Sequence, residues 1–363
     1  MDLRINRRGT GPIGLHMGLE SLRLLQMERG KKGLCIRACD TQPYPQNREE
    51  LLNSPRLFRS FIKKSLYKKK YRGSKIVTCL PLGNTQIVPV TFSLPGNEDE
   101  AEAVLKTVRP KLPGGADEYV IDYIPIRGKE VHSSTRSALV VADKRKDIIR
   151  YLDLLTEAGL DVLALDFAPA ALRRLIVSFD KEKKYPAVLL INFCSAMSYV
   201  TFVSGRRLVL DREVGFGAKH FIDRVGSALD IDAEKARELF VTYGVRSGEE
   251  KKNPKDIGPE VSQALAEILK PIFLKVAEEV NKLLLYAASE TQGETVEKVY
   301  LMGSIARIPG VQTTLRAGLS IPCEVLDPLK KIPTADTVVT CGEERYVNVA
   351  LAAGLALRGF LNE

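Results

Sequence analysis

The sequence has few of the residues that hold metals or form disulfides. It contains six cysteines and three histidines in 363 residues, and no two cysteines stand in a C-x-x-C pair. Structural zinc sites and redox-active cysteine pairs depend on such short spacing, so the sequence argues against both. We therefore expect reduced cysteines with a structural role and no metal ligands.

Long apolar segments are also missing. No uncharged run approaches the roughly 18 residues of a membrane-spanning helix, and the first ten residues, MDLRINRRGT, have no apolar signal region. The sequence thus predicts a cytoplasmic protein. Its hydrophobic content of 45% and charged content of 27% are typical of a folded domain. Because single cores stop growing at roughly 250–300 residues, we expect at least two lobes.

The positive charge is concentrated in one segment. Residues 48–75 carry ten Lys or Arg and two Glu, which is most of the net charge of +9. Leu57, Phe58, Phe61, Ile62 and Leu66 recur with helical spacing, which predicts an amphipathic helix with one basic face.

This basic face is compatible with three roles: contact with anionic lipid, contact with an acidic partner, or a solvated surface without a partner. Nucleic acid ranks last among the partners, since no aromatic platform or known nucleic-acid motif accompanies the charge. The candidate residues for a membrane or partner face are Lys63, Lys64, Lys68, Lys69 and Lys70.

The order of strand-like and helix-like segments predicts an α/β protein. Two strand-rich sets, near residues 13–39 and 187–217, have the same hairpin pattern, and a long helical region follows the second. We expect a duplicated core with a small inserted module and a helical subdomain. The predicted boundaries are 1–81 with 165–185 for the first lobe core, 82–164 for the inserted α/β module, 186–217 with 296–363 for the second lobe core, and 218–295 for the helical subdomain.

Six segments stand out along the chain, in the order PIGLHMGLESLRLLQ, VTCLP, EAGLDVLALD, DREVGFGAKHF, LMGSIARIPGV and VALAAGLALRG. In this order they resemble the actin-like ATPase superfamily and, within it, the PilM family of type IV pilus assembly proteins. The resemblance covers nearly the whole chain. It implies an actin-like two-lobed fold with a nucleotide cleft.

The resemblance also implies where nucleotide would bind, and the chain departs from the family at those positions. The family's first hairpin reads Gly-x-Asp-x-Gly, its second Asp-x-Gly, and its adenosine turn Gly-Gly. Here His16 and Asn192 replace the two aspartates, while Cys194 and Ser304 replace glycines. The candidate positions of this degenerate site are Gly14, His16, Gly18, Ser21, Asn192, Ser195, Gly217, Gly303 and Ser304.

These replacements remove the carboxylates that hold Mg²⁺ and orient water. We therefore expect no catalytic residue, no metal and no resident cofactor. Weak metal-free binding of ATP or ADP stays open, because a protonated His16 could contact a phosphate.

The function that the resemblance implies is that of an adaptor. Family members bind the N-terminal cytoplasmic peptide of the membrane protein PilN in a groove between the first lobe and the inserted module. In this chain, segments 77–84 and 157–166 are expected to flank that groove, with the protein peripheral to the inner membrane.

Three alternatives remain, and self-association is left open. An ATP-binding actin-like ATPase or sugar kinase would need the replaced carboxylates. An FtsA-like division protein would add an amphipathic tail after LRGFLNE, and a secretion platform protein would continue into a membrane span.

Overall fold

A computed structural model provides the structure of the chain. It describes residues 9–30, 33–67, 71–81, 85–94, 99–126, 135–179, 184, 186–246, 258–291, 293–339 and 349–360. The chain divides into two compact units. The first comprises Met1–Lys184, Arg206–Leu208 and Asp327–Glu363, and the second comprises Tyr185–Gly205 and Val209–Leu326.

Strands and helices alternate along the described chain, as the α/β prediction requires. The strands are β1 (Thr10–Met17), β2 (Ser21–Gly30), β3 (Gly33–Pro43), β4 (Lys75–Cys79), β5 (Gln86–Ser93), β6 (Tyr119–Ile126), β7 (Thr135–Lys144), β8 (Asp161–Asp166), β9 (Val188–Phe193), β10 (Ser198–Ser204), β11 (Arg207–Val214), β12 (Lys298–Gly303), β13 (Cys323–Val325) and β14 (Thr334–Val339). The helices are α1 (Arg48–Asn53), α2 (Pro55–Tyr67), α3 (Glu100–Val108), α4 (Arg145–Glu157), α5 (Ala168–Phe179), α6 (Ala218–Leu229), α7 (Ala233–Tyr243), α8 (Gly258–Glu290), α9 (Val311–Leu319), α10 (Pro328–Lys331) and α11 (Ala350–Leu357).

A six-stranded sheet in the order β14-β3-β2-β1-β4-β8 forms the base of the first unit. Strands β1, β2 and β3 are an antiparallel meander, whereas β4 runs parallel to β1 and β8 runs parallel to β4. Alternate residues of β1 enter a core beneath α1, α2 and α4, because successive side chains of a strand point to opposite faces. The core side chains from these elements include Ile13, Leu15, Met17, Leu51, Phe58, Ile62, Tyr151, Leu154 and Leu155.

Helix α11 approaches strand β1 too closely for a side chain to fit between them. A Cβ atom at Gly14 would lie 2.7 Å from the backbone nitrogen of Ala356 and closer still to the carbonyl oxygen of Ala352. A Cβ atom at Gly354 would lie 2.6 Å from the carbonyl carbon of Ala171 in α5. Glycines therefore permit backbone contact on both sides of α11.

A buried carboxylate fastens α11 to its neighbours. Asp166, at the end of β8, accepts hydrogen bonds from Arg174 of α5 at 2.9 Å and from Arg358 at 3.1 Å. It also accepts from the backbone N–H of Phe167 at 2.9 Å, while Arg174 donates to the Gly354 carbonyl at 3.0 Å. Because each charged group has several partners, its desolvation is offset.

The inserted module has its own core. Its antiparallel sheet has the order β5-β7-β6, and α3 packs on it through Val104 and Val108. The predicted module ended at residue 164, but α4 packs in the core of the first unit and β8 pairs with β4. Residues 145–164 therefore belong to the first unit's six-stranded sheet and the helix layer on it. Parallel pairing of β8 with β4 determines this placement, although these residues directly follow the inserted module in the sequence.

The C-terminal segment also lies elsewhere than the predicted boundary. Residues 296–363 were assigned to the second lobe core, but Asp327–Glu363 belongs to the first unit. Strand β14 pairs with β3, and α11 packs on β1 and α5. Backbone contacts at Gly14 and Gly354 account for this placement.

The second unit contains the sheet β11-β10-β9-β12-β13, and helices α6 to α9 pack with it in one apolar core. Aromatic rings from three helices meet at Phe221, whose centroid is 5.9 Å from that of Phe240 and 5.1 Å from that of Phe273. Pro271 lies inside α8 and does not end it. In the described part of the chain, no helix combines the length and apolarity needed to cross a bilayer.

Candidate functional site

The first predicted hairpin is β1–β2, and its turn is closed by internal hydrogen bonds. The Gly18 N–H donates to the Ser21 carbonyl at 3.0 Å. The Tyr44 hydroxyl donates to the Gly18 carbonyl at 2.9 Å, and the Tyr44 N–H donates to the Glu20 carbonyl at 3.2 Å. The Gly18 N–H, which a phosphate loop would present to its ligand, is thus already used by the protein.

Two of the predicted residues in this hairpin, Gly14 and Ser21, are covered by other parts of the protein. Gly14 backs onto α11, so packing alone explains its missing side chain. Ser21 is buried where β2 begins. The structure brings Gly14, His16, Gly18 and Ser21 together in the first unit, with the Gly14 position occupied by helix backbone.

His16, where the resemblance implies an aspartate, is buried with 5% of its surface exposed. Burial lowers the pKa of His16 well below its usual value, and the positive charges of Arg23 and Arg48 lower it further. The ring is therefore neutral at pH 7. It offers no negative charge to a cation.

The contacts of His16 also define its tautomer. Arg23 Nη1 lies 3.4 Å from His16 Nδ1, and because a guanidinium can only donate, Nδ1 is the acceptor and Nε2 carries the hydrogen. Nε2 is buried without a hydrogen-bond partner among the described residues. Such an unsatisfied donor costs about 1–3 kcal/mol.

The second predicted hairpin is β9–β10, which holds Asn192 and Ser195. The Cys194 N–H donates to the Met197 carbonyl at 3.1 Å, which closes the turn. The carbonyls of Cys194 and Ser195 accept from the first N–H groups of α6, those of Ala218 at 2.9 Å and Lys219 at 2.8 Å. This hairpin therefore caps a helix N-terminus, the place where an anion would otherwise bind.

Gly217 and Gly303 hold the surrounding turns against this hairpin. A Cβ atom at Gly217 would lie 2.6 Å from the backbone of Ala196, and one at Gly303 would lie 2.5 Å from the Phe193 nitrogen. Gly303 also has φ of +98°, which favours glycine. Ser304 donates to the Phe193 carbonyl through its N–H at 2.9 Å and its hydroxyl at 3.2 Å.

The predicted positions of the second unit, Asn192, Ser195, Gly217, Gly303 and Ser304, thus surround one hairpin. Neither hairpin offers a donor set suited to Mg²⁺, because a neutral imidazole and an amide replace the carboxylates that this hard cation prefers. In addition, no group of three His, Cys, Asp or Glu residues in the described ranges could hold a metal ion.

The basic segment forms two helices, with Asn47 capping α1 and Pro55 starting α2. The Asn47 side chain accepts from the Glu50 N–H at 2.8 Å. Helix α2 is amphipathic as predicted, since Phe58, Ile62 and Ser65 are buried. Lys63 and Lys64 are exposed, and Lys68, Lys69 and Lys70 lie outside the described residues.

A groove between α1–α2 and α4 was not located from the sequence. It consists of two open hollows, of about 630 and 470 Å³, that share Pro55 and Glu157. We name them the basic hollow (Pro55, Arg56, Arg59, Ser60, Lys63, Glu157) and the mixed hollow (Leu52, Asn53, Pro55, Lys146, Ile149, Arg150, Asp153, Leu154, Glu157).

The sequence contains one sign of this groove. Ile149 is 51% exposed, and an apolar residue outside the buried stripe of an amphipathic helix can indicate an interaction surface. Segments 77–84 and 157–166 were expected to flank a groove, and among their described residues only Glu157 lines this one.

The two glycines before α6 provide a test of the packing explanation. Gly217→Ala would place a Cβ against the β9–β10 hairpin, whereas a Cβ at Gly215 would meet nothing within 4 Å. We expect Gly217→Ala to lower the free energy of unfolding by roughly 1–3 kcal/mol or more, and Gly215→Ala to change it by less than about 1 kcal/mol. Urea denaturation measures both. Equal effects would contradict a packing role for Gly217.

Comparisons with known proteins agree with this fold. The family model "Type IV pilus assembly protein PilM" matches residues 14–360. A solved PilM-PilN type IV pilus biogenesis complex contains a chain that is 20% identical, with a TM-score of 0.74 and coverage of 97% of this chain and 99% of that one.

Two more distant structures are similar as well. The ethanolamine utilization protein EutJ from Carboxydothermus hydrogenoformans has a TM-score of 0.53 at 11% identity, covering 98% of this chain and 91% of its own. A nucleotide-free diol dehydratase-reactivating factor has a TM-score of 0.54 at 9% identity, covering 95% and 99%. The fold is therefore actin-like, and the chain belongs to the PilM family of type IV pilus assembly proteins.

Proposed function

We propose that this chain is a cytoplasmic adaptor of the type IV pilus assembly platform. It binds the N-terminal cytoplasmic peptide of a PilN-like single-span membrane protein in the groove between α1–α2 and α4. The observation that carries the proposal is this groove, present in a chain of the PilM family. The similarity to a chain of a PilM-PilN complex supports the choice of partner.

The groove has the dimensions and chemistry for a short extended peptide. Its α4 side runs from Lys146 to Glu157, which is about 16 Å of helix at 1.5 Å per residue and matches about five extended residues. Leu52, Ile149 and Leu154 offer apolar contact, and charged groups surround them. A peptide of this size buries little area and loses ordering entropy, so we expect micromolar affinity.

Binding to this partner would place the chain at the inner membrane. The partner's anchor would hold the adaptor beneath the bilayer, and the exposed cations of α2 would add attraction to anionic lipid of about 1 kcal/mol per charge. Effective concentration near the anchor strengthens a weak peptide contact without any new interaction.

Catalysis is not part of the proposed role. Neutral His16 and the amide of Asn192 stand where water positioning and Mg²⁺ binding would need carboxylates. Losing a group that positions the attacking water costs about 10²- to 10⁴-fold in rate. Any ATP or ADP binding would be weak and independent of metal.

The first test measures phosphate release from Mg²⁺-ATP by the full chain. We expect release at the background level, and the same for the His16→Asp, Asn192→Asp double variant, since Cys194 and Ser304 still replace glycines. Magnesium-dependent release by the natural chain that disappears in His16→Ala would overturn the non-catalytic assignment.

The second test titrates a labelled N-terminal peptide of the PilN-like protein from the same organism. We expect saturable binding by the full chain and a Kd at least ~10-fold higher for Ile149→Glu, because a carboxylate would enter the apolar part of the groove. Leu274→Glu is the matched control, since Leu274 is 60% exposed on α8 in the second unit.

These point variants are preferable to removal of the inserted module, because residues 145–160 supply core side chains such as Leu154 and Leu155. No binding at peptide concentrations up to about 1 mM would remove the adaptor mechanism. Equal loss in Ile149→Glu and Leu274→Glu would remove the groove assignment.

The third test measures cosedimentation with vesicles. The full chain should bind vesicles containing phosphatidylglycerol at about 50 mM salt, release them at about 500 mM, and leave neutral phosphatidylcholine vesicles unbound, because screening weakens exposed charges. Reversing Lys63, Lys64, Lys68, Lys69 and Lys70 to Glu should reduce binding. Unchanged binding would mean that this face is only solvated surface.

A further inference from the structure

The basic hollow presents a regular row of cations and a hydroxyl. Arg56, Arg59, Ser60 and Lys63 follow one another at helical spacings of three, one and three residues, so they share one side of α2. Burial of Phe58, Ile62 and Ser65 fixes the helix with this side facing outward. The row from Arg56 to Lys63 spans about 10 Å.

The cations of this row are available to a ligand. Among the described residues, no ion pair involves Arg56, Arg59 or Lys63, and Glu157 across the hollow does not pair with them. Guanidinium groups bind phosphate oxygens in pairs, lysine adds a point charge, and a serine hydroxyl donates one further hydrogen bond. This donor set matches a phosphate group.

We infer that the basic hollow binds the phosphodiester of an anionic phospholipid headgroup. The inference rests on the membrane location in the proposed function, and it assigns that contact to Arg56, Arg59, Ser60 and Lys63. Leu57, 44% exposed beside the row, is placed to enter the interfacial layer of the bilayer. A free phosphate ion would gain nothing from this apolar neighbour.

Glu157 has a separate effect at the edge of the hollow. Its carboxylate repels a phosphate and accepts hydrogen bonds from hydroxyl groups, so it favours a headgroup that carries both, such as that of phosphatidylglycerol. Because Glu157 and Pro55 also line the mixed hollow, the headgroup would lie next to the bound peptide.

A diffuse basic surface makes a different prediction from a defined hollow. Lys64 is exposed like Lys63 but lies about 100° further round α2 and does not line the hollow. With diffuse attraction, Lys63 and Lys64 would contribute equally to vesicle binding. A hollow that orients one headgroup depends on Lys63 and on the uncharged Ser60.

The experiment compares Lys63→Glu, Lys64→Glu and Ser60→Ala in the full chain, with phosphatidylglycerol vesicles as the probe. One cation near an anionic surface is worth about five-fold in binding, so a charge reversal at the hollow should cost roughly ten-fold or more. Lys64→Glu, which reverses a charge outside the hollow, should cost several-fold less than Lys63→Glu. Ser60→Ala should weaken binding about three-fold without any charge change.

The outcomes separate this inference from the proposed function. Equal losses for Lys63→Glu and Lys64→Glu, with no effect of Ser60→Ala, would overturn the hollow and leave membrane association intact. No vesicle binding by the natural chain would remove both. Inorganic phosphate should not displace the vesicles when sodium chloride at the same ionic strength does not, and such displacement would overturn the lipid assignment. Identical urea unfolding curves establish that the variants are folded.

Discussion

Backbone contact between α11 and β1 is the constraint on which the first unit depends. The contact requires Gly14 on the strand, and Gly354 permits an equally close approach between α11 and α5. Buried Asp166 then forms ion pairs with buried Arg174 and with the partly exposed Arg358. With one face of the sheet closed in this way, the other face is left for α1, α2 and α4, and these three helices form the groove.

Close contact between backbones also explains the glycines of the predicted nucleotide site. In this chain, Gly14, Gly217 and Gly303 each lie against backbone of a neighbouring element, and Gly18 is held by the turn that it begins. These glycines are therefore required for packing whether or not a nucleotide binds. The resemblance implies charged residues at the positions of His16 and Asn192, and neither position is a glycine held against neighbouring backbone.

Local patterns in the sequence predicted local structure well. The α/β class, the actin-like fold and the PilM family are confirmed, and the buried stripe of α2 follows the expected helical spacing. Six of the nine residues proposed for the degenerate nucleotide site lie on the hairpins β1–β2 and β9–β10, and Gly217, Gly303 and Ser304 lie beside the second. Their role in binding stays a prediction. Periodicity gave these results because each depends on residues close together in the chain.

Features made by distant residues were not accessible in the same way. The pairing of β8 with β4 and the packing of α11 on β1 join segments far apart, and no periodic pattern records them. The groove depends on α2 and α4 lying side by side, so only the exposed Ile149 hinted at it. The closing of both turns by internal hydrogen bonds likewise required coordinates.

The position of α11 in the chain has a consequence for synthesis on the ribosome. Residues 185–326 provide nearly all of the second unit, so that unit can fold while the rest is still being made. Strand β1 is made long before α11 and Phe360, which lie against its glycine face. The first unit must therefore wait, with an apolar sheet face open to chaperones or aggregation, until α11 has been made.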